Sequence, residues 1–300
     1  MTIGLAGLGN IGFHFAARLL AAGEALAVYD VNEARLARVA ELGGRSCASL
    51  QDLASQAETV ILSLPMPGIV KEAVTGAGNI MDGTSVRTVV DLSTTGPAVT
   101  KDIAALLAAR NIAFVSAPVS GGTLAAEKGT LAIMAGGNEA AYRRVEPLLR
   151  HLGKNIFYLG ADPSLGQTMK ILNNTLYAAS MVASAEALVY GVKAGLDPQM
   201  MLDVINVSSG RSYATMERIP QCVLDRSFPV RFTTELLHKD VKMCIEDAER
   251  IGAPMAVCPS ARQFLAFAIT QGDGAKDNVH TIRHFEEWAG VQVGAAPAAQ

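Results

Sequence analysis

Residues 3–12 read IGLAGLGNIG, and this stretch decides the fold. An apolar run typical of a strand leads into three glycines, and a helical pattern follows them, which is the context in which a GxGxxG pattern binds a dinucleotide. The first glycine permits a tight turn, the second lets the backbone approach a pyrophosphate, and the third lets the helix pack closely on the strand. We therefore predict a cofactor-binding turn formed by Gly7, Leu8, Gly9, Asn10, Ile11 and Gly12.

Asp30 provides the second half of this signal, because it lies 18 residues after Gly12 at the end of the next predicted strand. A carboxylate at that position accepts hydrogen bonds from the adenosine ribose hydroxyls and repels a 2′-phosphate. Positions 31 and 32 hold no arginine that would bind such a phosphate, and Arg35 lies further into the next helix. The sequence therefore predicts NAD as the cofactor, with NADP less favoured.

The rest of the N-terminal half continues the alternation of strands and helices, and its strands are apolar enough to be covered on both faces of a parallel sheet. After Gly160 the strand signal disappears, and a long helical pattern runs from about residue 165 to 194. We predict an α/β protein: a doubly wound sheet domain over 1–163, an interdomain helix over 164–194, an all-α domain over 195–292 and a tail over 293–300. The predicted strands are 3–6, 25–29, 59–64, 88–92, 113–117, 131–135 and 156–159.

Composition excludes several other classes. Half of the residues are hydrophobic and 18% are charged, which excludes an intrinsically disordered chain. A formal charge of -3 provides no field for nucleic acid. The four cysteines form no CxxC pair, so we predict a reducing, cytoplasmic location and no zinc knuckle. The apolar run 175–191 carries Glu186 and predicts a buried helix, without membrane association.

Two further segments follow predicted strands, where open α/β sheets bind their ligands. Leu64, Pro65 and Met66 form one of them, and we expect them to line the cofactor. Thr94 belongs to the other, in which hydroxyls and backbone can line the nicotinamide ribose. For Thr94 a simpler interpretation, capping of the helix that starts near Pro97, is equally good.

Two groups of residues are candidates for chemistry. Ser120, Gly121 and Gly122 end a strand in a loop whose hydroxyl and amides can bind a carboxylate, although an ordinary glycine turn has the same composition. Lys170 and Asn174 share one face of the long helix and form a plausible proton-transfer pair. A solvated surface lysine is the alternative for Lys170.

His280 and His284 can share a helix face, but the histidines are otherwise scattered, and we predict no metal.

Taken together and in order, the segments 7–12, 91–95, 117–122, 166–174 and 239–240 make the chain resemble the β-hydroxyacid dehydrogenase family. That family includes 3-hydroxyisobutyrate dehydrogenase, tartronate semialdehyde reductases and threonate-type dehydrogenases. The resemblance implies a Rossmann domain, a long helix and a helical domain that assembles dimers or tetramers. It also implies a small carboxylate substrate, a 3-hydroxy acid or its semialdehyde.

The resemblance carries specific roles onto the matching positions. It makes Lys170 the catalytic acid/base, Asn174 an aid to substrate orientation, and Ser120 with its two glycines the carboxylate cradle. It places Lys239 beside the cofactor, while Glu186 and Asp240 are expected to serve structure. The chain departs from the family at Ser116, where many members have aspartate, and we expect little functional consequence.

Three other functions compete with this one. An imine reductase and a non-catalytic cofactor-binding protein use a similar scaffold, but neither is expected to carry the lysine at position 170. Phosphosugar dehydrogenases are longer and need a basic phosphate pocket.

Arg211, in the polar break SSGRS at 208–212, is a further candidate for substrate contact, with a helix cap or an ion pair as the alternative. The sequence does not identify the individual acid.

Overall fold

The computed structural model describes residues 2–294 and divides into two compact units, a first unit that extends to Lys170 and a second unit that begins at Ile171. The first unit alternates strands with helices, and the second is helical. The strands are β1 (Thr2–Ala6), β2 (Ala25–Tyr29), β3 (Arg45–Ser46), β4 (Thr59–Leu62), β5 (Thr88–Asp91), β6 (Ala113–Ser116), β7 (Val119–Ser120), β8 (Leu131–Gly137) and β9 (Gly153–Tyr158).

The helices of the first unit lie between these strands, and the last of them continues into the second unit. The set is α1 (Gly12–Ala21), α2 (Glu33–Ala40), α3 (Leu50–Gln56), α4 (Pro67–Thr75), α5 (Pro97–Ala108), α6 (Gly122–Lys128), α7 (Glu139–Leu152) and α8 (Ser164–Lys193), with a 3₁₀ turn at Ile80–Asp82. Several begin where the sequence offers a cap. The Ser49 hydroxyl accepts a hydrogen bond from the Asp52 amide at the start of α3, and the Asn138 side chain caps α7.

The sheet has the order β3-β2-β1-β4-β5-β6 with every neighbouring pair parallel. β8 then joins β6 antiparallel, and β7 and β9 both pair with β8. Separate apolar cores cover the two faces, one containing Phe15 and Leu149 and the other Leu53 and Ile103. The predicted doubly wound α/β fold is confirmed. Its parallel strands bring their carboxyl ends to one edge, where such sheets bind ligands.

The second unit continues from α8 through α9 (Pro198–Asn206), α10 (Ile219–Cys222), α11 (Thr234–Arg250), α12 (Cys258–Ala268) and α13 (Ile282–Ala289). Two π-helices, Ala214–Arg218 and Ile269–Asp273, and a 3₁₀ helix, Asn278–Thr281, complete it. Its core gathers buried residues such as Met181, Leu188 and Ile282. A buried ion pair joins Arg218 to Asp277, with 2.6 Å between the guanidinium nitrogen and the carboxylate oxygen.

Helix α8 is long and apolar enough to cross a membrane when length and composition alone are considered. Its Ala178, Met181 and Leu188 side chains are nevertheless buried in the cores of the second unit. Core helices of soluble proteins pass the same length and composition test. One side of α8 therefore packs in the core, while Leu176 and Tyr190 are exposed on another, so the predicted buried helix is confirmed for one face only.

The C-terminal boundary needs a correction. Val293, which the sequence analysis assigned to a tail, is fully buried, and its amide donates to Glu286 over 2.8 Å. Arg226 donates to the Val293 carbonyl and pairs with the same glutamate, so this segment is packed. Position 294 ends the described part of the chain, and residues 295–300 of the predicted tail lie outside it. The predicted boundaries of the sheet domain and the interdomain helix stay predictions.

Candidate active site

The three glycines of the turn after β1 meet three different surroundings. A Cβ on Gly7, whose φ is +95°, would lie 2.2 Å from the Ser63 carbonyl oxygen, and a Cβ on Gly12 would lie 2.0 Å from the Gly7 oxygen. Nothing lies within 4 Å of the position that a Gly9 Cβ would take. Gly7 and Gly12 are therefore required by packing, whereas Gly9 leaves an open surface that a ligand can approach.

Helix α1 starts directly after this turn, and no side chain caps its N-terminus. Its first amides and the positive end of its dipole are therefore suited to a pyrophosphate. The open backbone at Gly9 and the uncapped helix together fit the phosphate groups of a dinucleotide.

Asp30 follows β2 and is held in place by the backbone around it. Its Oδ2 accepts a hydrogen bond of 2.6 Å from the Leu8 amide, and its Oδ1 accepts one of 2.8 Å from the Asn32 amide. The guanidinium of Arg35 reaches back from α2 to within 3.5 Å of Oδ2. The fixed carboxylate of Asp30 thus lies beside the glycine turn. The half-exposed guanidinium of Arg35 lies next to it, closer than the sequence analysis expected.

The loops after β4 and β5 are joined by hydrogen bonds that the sequence analysis did not foresee. The Ser93 hydroxyl accepts from the Leu64 amide at 2.9 Å, while the Ser93 amide donates to Asp91 Oδ1 at 2.9 Å. The Thr95 hydroxyl donates to the other Asp91 oxygen at 2.5 Å. The buried Asp91 therefore shapes the loop that carries Thr94, and Pro65 and Met66 are exposed beside Leu64.

The predicted carboxylate cradle is partly a strand. Ser120 ends β7, Gly121 has φ +133°, and Gly122 begins α6 with φ +69°. A Cβ on Gly121 would lie 2.5 Å from that of Ala125, while Gly122 faces open space. Both glycines are required by backbone conformation, and they leave an accessible surface next to the half-buried Ser120.

Lys170 lies in the second turn of α8 and is only 9% exposed, so the alternative of a solvated surface lysine is wrong. Gly166, one turn earlier, allows the helix to approach β8, because a Cβ there would lie 2.3 Å from the Met134 carbonyl oxygen. Between them Gln167 is fully buried, a position that the sequence analysis quoted within its motif without giving it a role. Ser116 also lies in this region, as the acceptor of a Gln167 hydrogen bond.

The second unit holds the other residues that the resemblance singled out. The Asn174 amide donates to Asp240 Oδ2 at 2.6 Å, and the Lys239 ammonium lies 2.8 Å from Oδ1 of the same carboxylate. Asp240 is buried and links the two. These two contacts agree with the structural role expected of Asp240, and they join it to both candidate site residues.

Arg211 is exposed, and in the described range 2–294 it forms no hydrogen bond or ion pair, so the alternative interpretation as a cap or ion-pair partner is wrong. His280 and His284 both face Asp273, at 3.1 and 3.0 Å. Residues 2–294 contain no group of three His, Cys, Asp or Glu side chains arranged to hold a metal.

Comparison with known proteins places this geometry in context. Residues 2–160 match the family model described as the NAD binding domain of 6-phosphogluconate dehydrogenase. Residues 164–285 match the model described as NAD-binding of NADP-dependent 3-hydroxyisobutyrate dehydrogenase. The two matches follow each other along nearly the whole chain.

Individual relatives agree with these matches. The chain is 37% identical over 292 residues to 2-(hydroxymethyl)glutarate dehydrogenase of Eubacterium barkeri, which covers 97% of both proteins. It also resembles the structure of Mycobacterium tuberculosis 3-hydroxyisobutyrate dehydrogenase with L-serine, with a TM-score of 0.87, 28% identity and coverage of 95% and 98%. An imine reductase from Myxococcus stipitatus with NAD+ has a TM-score of 0.65 at 15% identity over 95% and 99% of the chains, a likeness of fold alone.

Proposed function

The chain belongs to the β-hydroxyacid dehydrogenase family, and on that premise we propose that it is an NAD-preferring dehydrogenase that interconverts a small 3-hydroxy acid and its semialdehyde. NAD(P)-dependent hydroxyacid dehydrogenase activity follows from the family. We further propose a preference for NAD, a 3-hydroxy acid as the substrate and Lys170 as the general acid/base. The observation that carries it is the buried Lys170 in the same unit as the glycine turn and Asp30.

The residues present suit a dinucleotide. The turn at Gly9 and the start of α1 would hold the pyrophosphate, and Asp30 would accept hydrogen bonds from the adenosine ribose. Thr94 and the exposed Pro65 and Met66 would lie along the cofactor, and Lys239 would contact it. Asp30 favours NAD, because its charge opposes that of a 2′-phosphate.

The lysine supplies the proton chemistry. The nicotinamide, when bound, would supply the acceptor and donor for the hydride of the carbinol carbon. During oxidation the Lys170 amine takes the proton of the substrate hydroxyl as the carbon–hydrogen electron pair leaves and the carbonyl forms. During reduction the ammonium returns that proton to the nascent alkoxide. Asn174 would orient the substrate, and Asp240 would hold Asn174.

The substrate carboxylate is the recognition handle in this proposal. Ser120 and the open backbone at Gly121 and Gly122 would bind it, because their positive-φ conformation presents amides without side chains. A semialdehyde keeps the same carboxylate, so one cradle serves both directions. Amides and esters of the substrate lack the charge, and we expect them to react poorly.

Arg211 favours a variant of this proposal in which the substrate carries a second acidic group. It is exposed and forms no ion pair within the described residues, so its charge is available to a ligand. The relative named as a 2-(hydroxymethyl)glutarate dehydrogenase acts on a compound with a second carboxylate. If Arg211 addresses that group, Arg211→Ala should impair the dicarboxylate selectively and leave 3-hydroxyisobutyrate nearly unaffected.

A substrate panel tests the proposal. NADH formation at 340 nm should be measured with 3-hydroxyisobutyrate, glycerate, serine, threonate and 2-(hydroxymethyl)glutarate. The reverse reaction should be measured with the corresponding semialdehydes and, for threonate, with the oxo acid. We expect at least one acid to react with NAD. Reduction of cyclic imines without hydroxyacid oxidation would instead indicate an imine reductase, and NADH binding without turnover a non-catalytic protein.

We also propose that the protein self-associates and is cytoplasmic. Within the second unit, exposed apolar residues of α8 recur at spacings of three, four and seven, which places them on one helix face. The large ones are strongly exposed, with Leu176 at 69% and Tyr190 at 76%. A face of this kind usually marks a protein interface. We call the set the α8 stripe: Leu172, Leu176, Ala183, Ala187 and Tyr190.

A further inference from the structure

The side chain of Gln167 uses its whole hydrogen-bonding capacity inside the first unit. Its Oε1 accepts from the amides of Thr95, at 2.9 Å, and Gly96, at 3.1 Å. Its Nε2 donates to the Ser93 carbonyl at 3.0 Å and to the Ser116 hydroxyl at 2.9 Å. A primary amide offers two donors and two good acceptor positions, and here all four are satisfied at zero exposure.

These four bonds join three separate elements. Residues 93–96 belong to the loop between β5 and α5, Ser116 is the last residue of β6, and Gln167 lies in the first turn of α8. Thr95 and Gly96 are buried, and losing the acceptor of their amides would leave two unsatisfied donors, each costly in a protein interior. The loop and the helix therefore keep their spacing through one side chain.

Lys170 follows Gln167 by three residues, about 4.5 Å along the helix axis. The helix is rigid over that distance, so a shift of its first turn moves Lys170 by a similar amount. Thr94 immediately precedes the two amides that Gln167 binds. The same side chain thus controls both the loop assigned to the nicotinamide ribose and the turn that carries the lysine.

We propose that Gln167 is a positioning residue that sets the distance between Lys170 and the nicotinamide-facing loop. This inference rests on the proposed function for the roles of Lys170 and Thr94. It adds a residue that touches neither substrate nor cofactor and acts through the backbone of residues 93–96. Misplacement of a reacting group by about 1 Å can cost roughly 100-fold in rate, so such a residue has a large effect without contact.

A graded set of variants tests the proposal. Gln167→Met keeps the length and removes all four bonds, whereas Gln167→Glu keeps the acceptor for Thr95 and Gly96 and loses both donors. Ser116→Ala removes only one bond. We expect kcat to fall by about tenfold or more in Gln167→Met, less in Gln167→Glu, and least in Ser116→Ala. The KM for the acid and the Kd for NADH should change less than kcat does.

The isotope effect separates positioning from simple destabilisation. With substrate deuterated at the carbinol carbon, the primary effect on kcat should rise in Gln167→Met, because hydride transfer becomes rate-limiting. Tyr158→Phe is the matched control, since it removes a 2.8 Å bond to the Gly137 carbonyl in the same unit and none of the Gln167 partners. A lower melting temperature with unchanged kcat and isotope effect in Gln167→Met would overturn the proposal.

A readout without substrate separates this inference from the proposed function. Hydrogen exchange of the Thr95 and Gly96 amides should accelerate in Gln167→Met and stay unchanged in Tyr158→Phe. Unchanged exchange in Gln167→Met would overturn the positioning role whatever the activity. Faster exchange in a protein that oxidises no hydroxyacid would contradict the proposed function and leave Gln167 as the residue that orders this loop.

Discussion

We predict that the preference between NAD and NADP depends on the opposite charges of Asp30 and Arg35. The carboxylate is fixed by two backbone amides, and the guanidinium stands 3.5 Å away. We expect a higher kcat/KM with NAD than with NADP. Asp30→Ser should lower the ratio of kcat/KM with NAD to kcat/KM with NADP by about tenfold or more. The reason is that the like-charge clash with a 2′-phosphate disappears while Arg35 remains to bind it.

Steady-state kinetics with both cofactors would check this prediction. Arg35→Ala should raise the preference for NAD, since it removes the cation nearest to a 2′-phosphate. Glu33→Gln, at an exposed acid in the same helix, should leave the NAD-to-NADP ratio of kcat/KM unchanged. A wild-type preference for NADP, or an Asp30→Ser variant with the wild-type ratio, would contradict the assignment.

Single residues were predictable where a local pattern determines them. Gly7, Gly12 and Asp30 were identified from spacing, because a strand, a tight turn and a helix follow each other within a few residues. The contacts of Gln167 and Asp240 were not predictable, since their partners lie 72 and 66 residues away along the chain. Such pairs exist only after folding, and a single sequence contains no signal of their proximity.

At the scale of elements, the β1–turn–α1 unit makes a contrasting prediction for two of its glycines. Gly9→Ala meets no atom within 4 Å and should keep the wild-type melting temperature, yet weaken NADH binding about tenfold by filling the surface that the pyrophosphate approaches. Gly12→Ala places a methyl 2.0 Å from the Gly7 oxygen and should cost roughly 1–3 kcal/mol of stability through overpacking.

Differential scanning fluorimetry and a NADH fluorescence titration would measure both effects. If Gly9→Ala bound NADH as tightly as the wild type, the turn would not be the pyrophosphate site. If Gly12→Ala were as stable as the wild type, the close contact between helix and turn would not be essential.

Element predictions succeeded for long, periodic segments and failed for short ones. The seven predicted strands match β1, β2, β4, β5, β6, β8 and β9 with small differences at their ends. β3 and β7 have two residues each, too few to show a periodicity. The π-helix at Ala214–Arg218 was also not predicted, because its five residues are too few to distinguish its period from that of an α-helix.

For the whole molecule, the α8 stripe predicts self-association. Leu176→Glu introduces a charge at the most exposed leucine of the stripe and should shift the protein from a dimer or larger assembly to a monomer. Ile251→Glu, at an exposed apolar residue outside the stripe, is the control. Light scattering after size-exclusion chromatography would show the masses. A monomeric wild type, or an unchanged mass in Leu176→Glu, would contradict the prediction.

We propose that a hydride passes between the substrate and a bound nicotinamide while Lys170 transfers the proton. The most direct measurement compares wild type with Lys170→Met, recording kcat for the best acid of the panel and the Kd for NADH on the same samples. Lys154→Met, at an exposed lysine of the same unit, is the matched control. We predict that Lys170→Met lowers kcat by at least ~100-fold with nearly unchanged NADH affinity, while Lys154→Met behaves as wild type. Wild-type turnover in Lys170→Met would contradict the account.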